Sequence, residues 1–233
     1  MKEWLLLVFM SFLPPLIYTI WIRNTEKYNR EKWRTILTCF LWGASIAILA
    51  ALIIEILFQI PLVASIQDYD TISFLTVIVV APAAEEFTKP LALRLKSVRR
   101  EIDEFEDGLI LGAVAGLGFS ATENLFYGWD FLQEGLLLFI ILISIRSFGG
   151  CLLHASATAL TGYGYGKTIM KHTSVLRIVP YFILAIFVHS SYNFLVSNDV
   201  IGALSGLFAA LIFVTFTITL IRKKIISLDR KNR

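Results

Sequence analysis

The amino-acid sequence predicts an all-α protein, a polytopic transmembrane bundle of about seven spans that takes up the whole chain, 1–233, as one domain. Of the 233 residues, 57% are hydrophobic and only 17% are charged, with a mean hydropathy of +0.72. A soluble domain of this length would carry more charge. The apolar residues gather in stretches of about 20, the length a helix needs to cross roughly 30 Å of hydrocarbon. The basic residues fall in alternate loops, which sets the span count and the orientation together.

The predicted spans are 4–22, 35–58, 73–93, 109–127, 136–165, 178–196 and 202–221. The first follows Lys2 and Glu3, holds Pro14 and Pro15, and has no small-residue cleavage site before Arg23. It is therefore expected to stay as a span and not to be removed as a signal peptide. In the fourth, Gly108, Gly112 and Gly116 recur every four residues, a small-residue face that lets two helices approach closely. The fifth is long enough to tilt. Five lysines and arginines lie in 23–34, four in 94–107, three in 166–177 and six in 222–233, 18 of the 21 in the chain. The loops between (59–72, 128–135, 197–201) hold only acidic charges: Asp68, Asp70, Asp130, Glu134 and Asp199. The positive-inside rule then puts the N-terminus outside and the C-terminus in the cytoplasm.

Cys39 and Cys151 both fall within apolar runs, so a disulfide framework and a zinc-cysteine site are not expected. With the basic residues sorted by topology, nucleic acid is not an expected partner; membrane lipid is. The 94–107 segment reads as a solvated connector, and Phe126, Tyr127 and Trp129 as an interfacial belt.

Seven ionisable residues do not belong in hydrocarbon: Glu85, Glu86 and Lys89 in the third span, Glu123 in the fourth, Arg146 and His154 in the fifth, and His189 in the sixth. Each costs about 2.5–3.5 kcal/mol at the bilayer centre on insertion scales, so the set needs a shared reason. Centring each span brings them to about one depth, which makes a single polar site within the helices at 73–196 the economical explanation. Glu85 and Lys89 are spaced for a helical ion pair. Glu85 and Glu86 point about 100° apart, so one is expected to face a cavity while the other engages Lys89 or a neighbouring helix. Pro82 and Pro90 flank the pair, and Pro90 cannot donate to the carbonyl of Glu86. His189 and Asn193 share a helix face. For each residue a bland reading stands beside the functional one. Glu85 or Glu86 could simply pair with Lys89 or Arg146, Glu123 and Asn124 could bridge two helices, and either histidine could be a satisfied bundle residue. A buried carboxylate is also what a general base requires.

The stretch Ala81-Pro-Ala-Ala-Glu-Glu-Phe-Thr-Lys89 resembles the EExxK signature of the PrsW family of bacterial membrane proteases, relatives of the CAAX-processing glutamate intramembrane proteases. The resemblance continues through Asp107-Gly108, Gly112, Gly116, Gly118-Phe119, Glu123-Asn124, Arg146, His154 and His189-Ser-Ser-Tyr-Asn193, in the same order. It implies a glutamate-type intramembrane endopeptidase of the bacterial cytoplasmic membrane. Glu85 and Glu86 would activate water, His189 and Asn193 would steady the oxyanion, and His154 would assist, with Lys89, Glu123, Asn124 and Arg146 in support. The implied substrate is a single-pass membrane protein such as an anti-sigma factor, cut at site 1 in a stress response, with no cofactor. One position departs from the CAAX-processing relatives: Phe119 is followed four residues later by Glu123 where they carry histidine, which points away from prenylated substrates. Two alternatives remain from the residues alone, a proton-coupled membrane transporter and a metal-dependent membrane protease.

Overall fold

The computed structural model describes residues 2–197 and 202–231. Asp199 in the last acidic loop and Arg233 in the basic tail lie outside the described residues. Among those described, seven helices are long and apolar enough to cross a membrane: α1 (Glu3–Arg23), α2 (Trp33–Ser65), α3 (Tyr69–Arg94), α4 (Phe105–Glu134), α5 (Leu136–Met170), α6 (Val175–Ser197) and α7 (Ala203–Asp229). They match the seven predicted spans and mostly run further at both ends. Within the 94–107 segment a one-turn helix, Lys96–Arg99, follows the end of α3 at Arg94, and α4 already begins at Phe105.

The bundle is built around α4. In its most apolar window 78% of residues are buried, against 17–39% in the other six helices. Glycine makes this central position possible. A Cβ on Gly116 would come within 2.2 Å of the His154 carbonyl oxygen on α5, and one on Gly43 of α2 within 2.0 Å of the Ala115 carbonyl. Backbones this close leave no room for even one methyl group, so α4 is clamped between α2 and α5. Outward-facing residues such as Leu5, Leu137, Phe208 and Ile212 are exposed, while Glu86 and Lys89 are fully buried. That inversion suits a bundle whose surroundings are hydrocarbon.

Helix α3 is irregular where the site lies. It runs from a π-helical turn at Thr76–Val80 through an α-helical stretch, Ala81–Thr88, into a 3₁₀ turn at Lys89–Arg94. The backbone N–H of Ala81 donates to Thr76 instead of Val77. Pro82 has no N–H to offer, so the Val77 carbonyl loses both its α and its π partner. Pro90 likewise leaves the Glu86 carbonyl without its usual donor, and the helix tightens from there.

At the basic end of the bundle the 24–32 loop is tied down from far along the chain. Asp229, at the end of α7, accepts the backbone N–H groups of Lys27 at 3.1 Å and Tyr28 at 3.2 Å. Thr25 accepts a bond from Arg222 at 3.1 Å. This folding buries Glu26 completely and Glu31 almost so. Burial, reinforced by Asp107, pushes the Glu26 carboxyl up to about 8 and that of Glu31 up to about 9.

Candidate functional site

The mid-membrane polar residues meet around one cation. Lys89 Nζ, fully buried, lies 2.8 Å from Glu85 Oε2, 2.9 Å from Glu86 Oε1 and 2.8 Å from His154 Nδ1. It also sits 4.3 Å over the Phe119 ring. The glutamates are three and four residues before the lysine, so both reach it from one helix face. The expected division, with one glutamate on Lys89 and the other facing elsewhere, is corrected by this contact: both hold the lysine. They differ in what remains.

Glu86 is saturated. Its Oε1 also takes a bond from His189 Nδ1 at 2.9 Å, and its Oε2 one from the Thr158 hydroxyl at 2.9 Å. Glu85 Oε2 is engaged by Lys89, and Glu85 keeps some exposure, at 7%. Its second oxygen has no hydrogen bond among the described residues.

Hydrogen bonding assigns the histidine tautomers. An ammonium only donates, so His154 Nδ1 accepts from Lys89 and its proton sits on Nε2, which donates to Glu123 Oε2 at 2.7 Å. His189 Nδ1 donates to Glu86, and its Nε2 lies 3.9 Å from Glu85 Oε2. The two rings meet edge to face with centroids 5.1 Å apart. Behind them Arg146 Nη2 reaches the same Glu123 oxygen at 2.8 Å, and Arg146 Nε donates to Asn124 at 3.0 Å. Asn124 turns its amide nitrogen to the Cys151 sulfur at 3.6 Å. Apart from the histidines, three carboxylates face two cations, Lys89 and Arg146.

Of the nine residues singled out from the sequence, eight are joined by this network. Asn193 is diverted: its side-chain N–H donates to the Val77 carbonyl at 2.9 Å, the group orphaned by the π turn and Pro82. One of the two N–H donors expected beside His189 for an oxyanion is thereby taken up. Two contributors were missed, Thr158 and Phe119 as the lysine's platform. Thr158 follows His154 by four residues on one face, a spacing that could have flagged it.

Three donors could hold a metal: Glu85, His154 and His189 each offer an atom within 4.8 Å of the other two. Two histidines and a carboxylate form a familiar zinc set, and each ring's other nitrogen is braced by a carboxylate, Glu123 or Glu86, as metal-ligating histidines require. The donor set fits. Lys89 competes for it, since its ammonium already occupies Glu85 Oε2 and His154 Nδ1.

A family model described as PrsW family intramembrane metalloprotease matches residues 31–220. Protease PrsW of Clostridioides difficile (strain 630) is 30% identical over 122 residues, covering 52% of this chain and 50% of that protein. The match thus spans about half the length of that relative. No solved structure matches the chain.

Proposed function

The chain belongs to the PrsW family of intramembrane proteases, a multi-pass protein of the bacterial cell membrane, and we propose that it hydrolyses a peptide bond of a single-pass membrane protein with Glu85 as the general base. One observation carries this reading: among the described residues Glu85 keeps an oxygen, Oε1, without a hydrogen bond, while its Oε2, held by Lys89, lies 3.9 Å from His189 Nε2. Glu86 and Glu123 spend their charge on Lys89, the histidines, Thr158 and Arg146.

In the proposed reaction a water bound between Glu85 and His189 attacks the scissile carbonyl while Glu85 takes one of its protons. His189 Nε2 receives the proton from Glu85, which lets the ring donate to the developing oxyanion. On collapse the C–N bond breaks and the proton passes from His189 to the departing amine, which restores both groups. Glu86 holds the His189 ring in its tautomer, as a triad carboxylate does. Lys89 fixes both glutamates, and Glu123 with Arg146 fixes His154. The working helices are α3–α6, and the positive-inside rule assigns their basic end to the cytoplasm. By the family resemblance the substrate is of the anti-sigma-factor type, cut at site 1 in a stress response.

A second reading, metal-assisted hydrolysis, is favoured by the braced Glu85, His154 and His189 donor set. A bound ion would supply Lewis acidity and a more acidic water there. The chain's own residues would hold it, and Lys89 would have to release two of its three partners.

The test is co-expression of a tagged single-pass anti-sigma factor with the wild type or with Glu85→Gln, Glu86→Gln or His189→Ala. A fragment lost in Glu85→Gln and His189→Ala at unchanged protein levels supports the reading. A fragment that persists in both ends it. Metal content of protein purified without an affinity metal separates the two versions.

A further inference from the structure

A second group of carboxylates lies at the basic end, away from the mid-membrane site, and the proposed proteolysis makes no use of it. Glu26, Glu104 and Asp107 each bring a carboxylate oxygen within 4.8 Å of the other two. Two of them belong to the start of α4. Glu104 and Asp107 form a reciprocal capping box, and Asp107 Oδ2 accepts the backbone N–H groups of Asp103 at 2.8 Å and Glu104 at 2.7 Å. The positive end of a helix explains acidic residues there. It does not explain why a different segment, the 24–32 loop, buries two further glutamates against them.

Those two glutamates are the independent observation. Glu26 is 0% exposed and Glu31 6% exposed, and among the described residues neither Oε1 has a hydrogen bond. A buried carboxylate oxygen without a partner is costly. Suitable cations stand close by and are used elsewhere. Arg30 Nε donates to the main-chain carbonyl of Glu26 at 2.8 Å, and Arg23 Nε to that of Glu31 at 2.7 Å. Lys32 reaches out to Glu101 at 2.6 Å. Glu26 Oε2 accepts the backbone N–H of Glu31, at 3.3 Å. Beside the group is a cavity of about 60 Å³, lined by Glu31, Asp103 and Asp107 among others.

We propose that Glu26, Glu104 and Asp107, with Glu31 beside them, bind a hard divalent cation of the Ca²⁺ or Mg²⁺ class at the basic end of the bundle. An all-oxygen, all-carboxylate set selects such ions over zinc or copper. Donors within 4.8 Å of one another are near enough for one ion to bridge them after a small contraction, slighter for Ca²⁺, at metal–oxygen distances near 2.4 Å, than for Mg²⁺. The ion would pin the 24–32 loop to the start of α4, the helix that carries Glu123 and Asn124. Asp229 already pins the same loop to α7.

The experiment uses the full chain in a non-ionic detergent, stripped with EDTA and desalted. CaCl₂ and MgCl₂ are titrated separately by calorimetry, with thermal unfolding followed against KCl of equal ionic strength. The expected result is one ion bound per chain and a rise in Tm of about 5 °C at saturation. Both should be retained in a Glu85→Gln, His154→Ala, His189→Ala triple variant, which removes the mid-membrane donors. Affinity should fall at least about tenfold in Glu26→Gln, and Glu31→Gln serves as a second variant should the first not fold. The proposal is overturned if neither ion binds the wild type, or if binding is lost in the triple variant and kept in Glu26→Gln.

Discussion

The molecule buries two groups of carboxylates, and it treats them in opposite ways. In the middle of the bundle Glu85, Glu86 and Glu123 face Lys89 and Arg146 at 2.8–2.9 Å, with two histidines and a threonine filling most of the remaining acceptor sites. At the basic end Glu26 and Glu31 are as deeply buried, yet the arginines beside them bond to main-chain carbonyls. The difference follows from what each group can reach. A charge in hydrocarbon must find its partner within the protein, whereas a charge at the water-facing end can take an ion or a proton from solution. Compensation is therefore built in at one site and left to solution at the other.

The largest effect that would break this contrast is removal of the shared cation. Lys89→Met leaves two carboxylates buried without their counter-charge, and breaking a buried pair in this way costs about 3–5 kcal/mol. The variant should accumulate poorly, and what can be purified should unfold well below the wild type in a thermal melt. Survival at the wild-type Tm would mean that the glutamates do not depend on Lys89.

Next come the two glutamates themselves. Glu85→Gln should lower cleavage by about 10²–10⁴-fold, the usual contribution of a general base, with little change in Tm. Glu86→Gln should lower both, because Glu86 anchors Lys89, His189 and Thr158. Cleavage rates and melts recorded on the same preparations sort the two roles. Gly116→Ala should cost about 1–3 kcal/mol, since the new methyl meets the His154 carbonyl and pushes α4 from α5.

The smallest effect sharpens the other side of the comparison. In divalent-free buffer the Glu31 carboxyl has its folded value raised to about 9 from an ordinary 4.5. The folded protein therefore holds a proton that the unfolded chain gives up. This contribution to stability is complete below pH 4.5, declines as pH rises, and is lost above about 9. Glu31→Gln should then match the wild type near pH 4.5 and melt higher than it near pH 9. Equal melting at both pH values would show that Glu31 is not a buried carboxyl in solution.

The sequence made the spans legible because hydropathy and loop charge agree seven times over, and it assembled the site because seven ionisable residues share one depth. What it concealed depends on local backbone and on distant contacts. Asn193 stands one turn from His189, and its diversion follows from a π turn and Pro82 on another helix, which jointly orphan the Val77 carbonyl. That Glu85 and Glu86 both converge on Lys89 depends on Phe119 and His154, from α4 and α5, closing the pocket around the ammonium. The buried Glu26 and Glu31 were hidden within a loop that reads as basic. Asp229, about 200 positions away, folds that loop inward.

The central claim is that Glu85 supplies the base while Glu86 holds the site together. Its most direct test is single-turnover cleavage of a tagged single-pass membrane protein by purified, liposome-reconstituted wild type, Glu85→Gln and Glu86→Gln, with each variant's melt taken alongside. The account predicts that Glu85→Gln melts like the wild type and cuts at least about a hundredfold more slowly, while Glu86→Gln is visibly destabilised. A Glu85→Gln protein that cuts at the wild-type rate would contradict it.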